Sequence, residues 1–263
     1  MRVCGTRWVL GFGIWGLGFL STLDAQTAAP SRPIEFIPRA VFHLSAELLA
    51  GIDDPRFVWD TNFGGDIDVV DYGVGRLTFF GNYQAMLGSE FRNFDPNQGN
   101  YILEGSASGR LRTAEIAAVF YHQSRHLSDR PKTFAIDWNM LGGRVRRALL
   151  LGAAHLDARA DLRATIQRSY VDYRWEFDGR LRADRVLHPR VGVLFDGRIR
   201  HLGVDGSRNR GGQTGFRGEA GVRFEGGSAA VEFFAAAERR IDPYQLEFGT
   251  ATWAAFGFRL QSR

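Results

Sequence analysis

Two histidines and two serines stand close together in the tract Tyr121-His-Gln-Ser-Arg-His-Leu-Ser-Asp129, and an asparagine follows at Asn139. Residues i and i+2 of an extended strand share a face, so His122 and Ser124 can come within hydrogen-bond reach. The imidazole could then act as base for the hydroxyl nucleophile. A third polar group on the next strand could hold the ring in one tautomer. The candidate catalytic residues are therefore His122, Ser124 and Asn139.

The pattern around these residues predicts that all three side chains point away from the interior. The even positions of residues 116–120 are apolar, and His122 and Ser124 continue that face. On the following segment Asn139 shares its face with Leu141. Polar groups on an apolar face near the rim of a membrane protein would suit an acyl ester that the bilayer itself presents.

The tract resembles the active site of outer-membrane phospholipase A, a calcium-dependent twelve-stranded barrel that hydrolyses phospholipid acyl esters as a dimer. That family carries His-Gln-Ser followed by Trp-Asn, matched here by His122-Gln123-Ser124 and Trp138-Asn139. The resemblance implies a base at His122, a nucleophile at Ser124 and an orienting group at Asn139. It also implies calcium as cofactor, and outer-membrane lipid and a second copy of the chain as partners. It covers only residues 121–139 and the number of strands.

Two stretches depart from the family's pattern. The family has Asn-Gly-Arg directly after its serine, where this chain has Arg125-His126-Leu127. The family's Ser-Arg-Ser run before Trp-Asn is Ala-Ile-Asp here. A serine that helps to bind calcium in the family therefore falls on Ala135, so a calcium ion would have to be bound without that side chain.

The same tract also has a structural interpretation without catalysis. His43-Leu44-Ser45 is a second His-x-Ser in this chain, so the spacing alone does not specify an active site. Histidine and serine at a headgroup interface can bond lipid phosphates or loop backbone. In this alternative the tract belongs to the barrel rim, and His126, Ser128 and Asp129 build the turn.

Repeated alternation of polar and apolar residues after position 40 predicts an all-β fold. In Leu156–Ile166 every even position is apolar and every odd position is polar or charged. Strands of about ten residues suit a tilted crossing of a bilayer. We predict a transmembrane antiparallel up-and-down β-barrel of about twelve strands, near residues 40–50, 57–71, 75–88, 100–110, 113–126, 137–151, 154–167, 171–183, 190–202, 214–225, 228–239 and 248–261.

The lengths of the connections predict how the barrel sits in an outer membrane. Tight turns near 72–74, 111–112, 152–153 and 226–227, with 184–189 slightly longer, alternate with longer loops near 89–99, 127–136, 203–213 and 240–247. Short connections are periplasmic and long ones extracellular in such barrels. An even strand count then places both termini in the periplasm.

The amino terminus has the pattern of a secretory signal peptide. Arg2 and Arg7 precede an apolar run, Trp8–Leu20, and small residues follow. We assign residues 1–25 to the signal peptide, 26–39 to a periplasmic lead-in and 40–263 to the barrel. Cys4 is the only cysteine and lies in the signal peptide, so the mature chain is expected to have no thiol chemistry.

Charged residues on the inward faces predict an ion-paired lumen. About twelve strands lie between a filled small barrel and an open porin. Either a plug of side chains or a narrow charge-selective channel would fit. The alternative function is a non-enzymatic barrel, which is either such a channel or a structural or surface-interaction protein. No contiguous basic patch supports nucleic-acid binding. The predicted inward charges are Asp60, Asp66, Asp68, Arg159, Asp161, Arg163, Arg174, Glu176, Asp178, Arg180, Arg217, Glu219 and Arg223.

Overall fold

Twelve antiparallel strands close into one barrel in a computed structural model that describes residues 33–128 and 131–262. Each strand pairs with its neighbours in sequence, and β1 closes the barrel on β12. No helix among the described residues is long and apolar enough to cross a membrane. The strands are β1 (Glu35–Ala50), β2 (Trp59–Asp71), β3 (Arg76–Gly88), β4 (Asp95–Arg110), β5 (Glu115–Leu127), β6 (Ile136–Leu151), β7 (Ala154–Ser169), β8 (Tyr173–His188), β9 (Val191–Val204), β10 (Gln213–Glu225), β11 (Ala229–Ile241) and β12 (Thr250–Ser262).

The predicted fold class and strand number are confirmed, but three strands extend well beyond their predicted bounds: β1 and β4 begin about five residues earlier, and β8 ends five residues later, inside the predicted connection 184–189. β1 begins at Glu35, inside the segment 26–39 that the sequence assigned to a periplasmic lead-in. Pro38 lies where the pairing of β1 with β2 shifts register, and a residue without a backbone N–H is tolerated at such an irregularity. The predicted signal peptide, residues 1–25, lies outside the described residues.

The outer face of the barrel is an apolar belt. On β1 the side chains of Phe42, Leu44 and Leu48 are exposed, while the alternate residues Ser45 and Glu47 are buried. The other strands repeat this arrangement with exposed phenylalanine, leucine, isoleucine and valine side chains. A closed barrel pairs its backbone groups between strands, so such a face can contact lipid hydrocarbon without leaving polar groups unsatisfied.

The connections give the barrel two unlike ends. Both described chain ends lie at one end, together with the connections 72–75, 111–114, 152–153, 189–190 and 226–228. The other end, which we call the long-loop end, carries 51–58, 89–94, 128–135, 170–172, 205–212 and 242–249. Only the connection at 170–172 is short among this second set. The alternation of short and long connections expected from the sequence is therefore present.

The lumen is crossed by arginine–carboxylate pairs. The Arg163 guanidinium lies 2.5 Å from the Glu176 carboxylate, and both side chains are almost fully buried. The predicted inward charges join this network with one exception. Arg174 is exposed and Tyr173 is buried instead, because the pairing of β8 with β9 shifts register between Tyr173 and Trp175.

The bore is filled at the long-loop end. The loop 242–249 folds inward, where the Gln98 side-chain amide donates to the Pro243 carbonyl at 2.5 Å and the Gln245 backbone N–H donates to Gln98 Oε1 at 3.1 Å. Leu246 packs against both buried apolar clusters of the barrel. A charge-lined cavity of about 640 Å³ occupies the lumen. The ion-paired plug predicted from the sequence describes this interior better than a wide pore does.

Candidate functional site

The pairing of β5 with β6 sets the three candidate residues beside one another. His122 is directly opposite Asn139, and Ser124 is directly opposite Asp137. These four side chains are half-buried, whereas the alternate residues Tyr121, Gln123, Trp138 and Met140 are buried on the inward face. The candidate residues therefore lie on the outer face of the barrel near its long-loop end, as the alternation predicts.

A hydrogen bond joins the predicted base to the predicted orienting group. His122 Nδ1 lies 2.7 Å from Asn139 Oδ1. An amide oxygen only accepts, so in this pair the proton is on Nδ1 and the imidazole is its donor. The lone pair of a neutral imidazole is then on Nε2, the nitrogen that would take a proton from a nucleophile.

The predicted nucleophile contacts a different histidine. Ser124 Oγ lies 3.3 Å from His126 Nε2, and no hydrogen bond between Ser124 and His122 occurs among the described residues. The serine thus stands between two imidazoles on one strand face. A serine side chain changes between staggered χ1 positions, and such a rotation would redirect Oγ from one histidine toward the other.

Two further polar residues, Asp137 and Gln167, complete the cluster, and neither role was predicted from the sequence. The Asn139 side-chain amide donates to Gln167 Oε1 at 2.6 Å. Gln167 in turn donates through Nε2 to Asp137 Oδ1 at 3.0 Å. Asp137 directly precedes the Trp138-Asn139 pair and lies on the same face as Asn139, so the sequence could have indicated that it belongs to the site. The sequence could not have indicated Gln167, because alternation along the strand predicts that it faces inward with Arg163.

The loop that joins β5 to β6 brings the chain's only lysine to this cluster. Lys132 Nζ donates to the backbone carbonyl of Arg125 at 2.5 Å. Burial of the ammonium lowers the pKa of Lys132, and the nearby Asp137 carboxylate opposes that shift. A cation therefore lies close to the candidate site on its loop side.

The strands under the cluster are held by buried aromatic side chains. Trp138 is fully buried and packs edge-on against Tyr173, with ring centroids 5.0 Å apart. The Arg125 guanidinium lies 5.3 Å from the centre of the Trp138 ring, and Arg163 lies 4.4 Å from that of Tyr121. This packing fixes the backbone that carries the outward-facing polar residues, as a preorganised site requires.

The described residues at the cluster do not match the ligand set that calcium prefers. Ca²⁺ is bound by six to eight oxygen ligands, several of them carboxylates. Ala135 contributes no side-chain oxygen, and residues 33–128 and 131–262 contain no group of three histidine, cysteine, aspartate or glutamate side chains that could hold a metal. Only Asp137 supplies a carboxylate to the hydrogen-bonded cluster. We therefore derive no step through calcium.

Comparison with known proteins identifies the fold. No protein-family model and no curated protein matches the chain. Among solved structures, an outer membrane channel from Pseudomonas putida F1 is 12% identical, with 92% of this chain and 99% of that chain covered and a TM-score of 0.50. LpxR from Salmonella typhimurium is 8% identical, with 85% and 99% covered and a TM-score of 0.49. A bacterial polysaccharide outer membrane secretin is 11% identical, with 87% and 99% covered and a TM-score of 0.42.

These findings define the class of protein. The closed twelve-stranded barrel, its apolar outer belt and its polar interior are the features of an outer-membrane β-barrel. The chain is a protein of this class and is located in the outer membrane. At such low identity the similarity extends to the fold alone.

Proposed function

We propose that the barrel is a serine-type lipid hydrolase that cleaves acyl esters of outer-leaflet phospholipid. The observation that carries this proposal is the 2.7 Å hydrogen bond between His122 Nδ1 and Asn139 Oδ1, with Ser124 two residues away on the same outer face. A base held in one tautomer beside a hydroxyl is the arrangement that activates a serine nucleophile. Its position on a lipid-facing surface fits a substrate that stays in the bilayer.

The chemistry assigns one role to each side chain. Rotation of Ser124 brings Oγ to His122 Nε2, which accepts the hydroxyl proton as Oγ attacks the ester carbonyl carbon. The imidazolium then returns that proton to the departing alcohol, which leaves an acyl-serine. Water, deprotonated by the same nitrogen, attacks the acyl carbon; the bond from that carbon to Ser124 Oγ breaks, the imidazolium returns the proton to Oγ, and the fatty acid is released. Asn139 keeps Nδ1 protonated throughout, and it orients the ring without adding a negative charge.

The proposed orientation brings the site to the correct leaflet. Outer-membrane barrels place short turns and both termini in the periplasm and the longer loops outside. If the long-loop end is extracellular, His122, Ser124 and Asn139 face the outer leaflet near its headgroups. A lipid there could reach the serine by lateral diffusion, without entering the lumen.

Hydrolysis of phospholipid by the refolded barrel in mixed micelles tests the proposal, with separate samples in calcium and in chelator. We expect fatty acid release by the wild type and its loss in Ser124→Ala. Ser45→Ala is the matched control, because Ser45 belongs to the other His-x-Ser but is buried in the lumen. It should retain activity. An inactive wild type with a folded barrel in both conditions would refute the hydrolase.

A non-enzymatic barrel is the second candidate, and one observation favours it. Ser124 donates to or accepts from His126 rather than His122, a contact that a purely structural rim would also make. The charge-lined lumen would then serve as a narrow channel or as an internal scaffold. Stepwise conductance across a planar bilayer would support a channel, and its absence would leave a structural or surface-interaction role.

A further inference from the structure

The polar side chains behind His122 form a chain of hydrogen bonds with a defined direction. It begins at the Asp137 carboxylate, which accepts from Gln167 Nε2 at 3.0 Å. It continues from Asn139 Nδ2 to Gln167 Oε1 at 2.6 Å, and from His122 Nδ1 to Asn139 Oδ1 at 2.7 Å. Each amide uses its nitrogen toward one neighbour and its oxygen toward the other.

The direction of these hydrogen bonds is set by the Asp137 carboxylate, the one group among them that has no proton to donate. An amide can turn about its last bond and exchange its oxygen and nitrogen, so neither Asn139 nor Gln167 alone fixes a polarity. A carboxylate only accepts. With Asp137 at one end, Gln167 must present its nitrogen to Asp137 and its oxygen to Asn139. Asn139 must then present its oxygen to His122.

An irregularity in β7 turns Gln167 to the outer face. Asn139 pairs with Gln167, but the next residue of β6, Met140, pairs with Thr165, so Ile166 is left without a partner. Without this bulge the alternation of β7 would keep Gln167 on the inward face with Arg163. A one-residue slip reverses the face of a strand residue, and bulges are known to redirect side chains next to active sites.

We infer that Gln167 and Asp137 are positioning residues that select the Nδ1–H tautomer of His122. The inference rests on the proposed hydrolase for its purpose, but it concerns the protonation of one ring and can be measured without catalysis. Asn139 is held in the required orientation by Gln167, and Gln167 is held by Asp137. The base therefore depends on two side chains that form no hydrogen bond with Ser124 among the described residues.

Two substitutions at position 167 should have opposite effects. Gln167→Glu keeps an acceptor toward Asn139 Nδ2, and one proton shared with Asp137 replaces the lost Nε2 donor, so His122 should keep its proton on Nδ1. Gln167→Lys offers only donors, so Asn139 should reverse and present Nδ2 to His122. The ring would then accept at Nδ1 and carry its proton on Nε2. Gln167 is exposed, so neither change removes core packing.

The test is nitrogen NMR of the refolded full chain in micelles with labelled histidine, and His122→Ala assigns the resonance. We expect a protonated Nδ1 in the wild type and in Gln167→Glu, and a protonated Nε2 in Gln167→Lys. Hydrolysis should stay within about threefold of wild type in Gln167→Glu, but fall about 10³- to 10⁴-fold in Gln167→Lys, as expected for a base in the wrong tautomer.

The outcomes separate the two proposals. An unchanged His122 tautomer in folded Gln167→Lys would overturn the positioning role, whatever the activity. A tautomer that switches as expected in a barrel without hydrolytic activity would uphold the positioning role and refute the hydrolase. If Gln167→Lys fails to fold, Gln167→Leu replaces it. This variant removes the link to Asp137, and we expect a mixture of both tautomers, whereas a single Nδ1–H form would overturn the inference.

Discussion

Three lumenal arginines converge on the carboxylate of Glu232 on β11, and its neutralisation should weaken the barrel measurably. The side chain is fully buried. Its oxygens accept from three guanidinium groups at 2.6, 2.7 and 2.7 Å, those of Arg182, Arg223 and Arg259. Each of these arginines also binds a second carboxylate, on Asp184, Glu225 and Glu219 respectively.

The magnitude follows from this arrangement. Removing one partner of a buried ion pair costs about 3–5 kcal/mol, because a charge is left buried without compensation. Each arginine around Glu232 keeps its second carboxylate, so we expect Glu232→Gln to lie at the lower end, at about 3 kcal/mol. Asp66→Asn is the control. Asp66 pairs with Arg39, both side chains are about 40% exposed, and such pairs contribute about 0–1 kcal/mol.

Urea unfolding of the barrel in lipid vesicles, followed by tryptophan fluorescence, measures both variants against the wild type. We expect a clearly larger loss of unfolding free energy for Glu232→Gln than for Asp66→Asn. Equal losses, or a Glu232→Gln barrel within about 1 kcal/mol of the wild type, would show that the buried network does not hold the lumen together.

Three further predictions concern backbone packing, the base and the bore. Gly142→Ala should destabilise the barrel by about 1–3 kcal/mol in the same unfolding assay, because its Cβ would lie 2.1 Å from a backbone oxygen of β7. Gly143→Ala is the control and should be nearly neutral, because the nearest atom to its Cβ would be 3.8 Å away. His122→Ala should lower the rate of hydrolysis about 10²- to 10⁴-fold, because it removes the base. His126→Ala should leave the rate equal or higher, because Ser124 can then turn toward His122. The reverse ranking would assign the base to His126. In planar bilayers the wild type should show no conductance steps, because the loop 242–249 fills the bore, and open steps would contradict this.

The sequence predicted the barrel well because its evidence is periodic and local. The alternation in Leu156–Ile166 indicates one wet and one apolar face, and the same pattern recurs along the chain until twelve strands are counted. The start of β1 was harder to predict, since Pro38 disfavours an ordinary strand position. It is accommodated at a register shift that only the pairing with β2 reveals.

The candidate site was predictable only in part. His122 and Asn139 were expected to share the outer face, and cross-strand pairing brings them together at 2.7 Å. The contact between Ser124 and His126 was not expected. The spacing along a strand allows a serine to contact either flanking histidine, so the sequence does not determine which one is its partner. Gln167 could not be found, since its outward direction depends on a bulge rather than on alternation.

Covalent labelling of the refolded barrel by a lipid-like fluorophosphonate, with the modified peptide identified by mass spectrometry, tests the proposed nucleophile most directly. We expect an adduct on Ser124 that forms much more slowly in His122→Ala, because the serine then lacks its base. A folded wild-type barrel without an adduct on Ser124, or one labelled equally fast without His122, would contradict it.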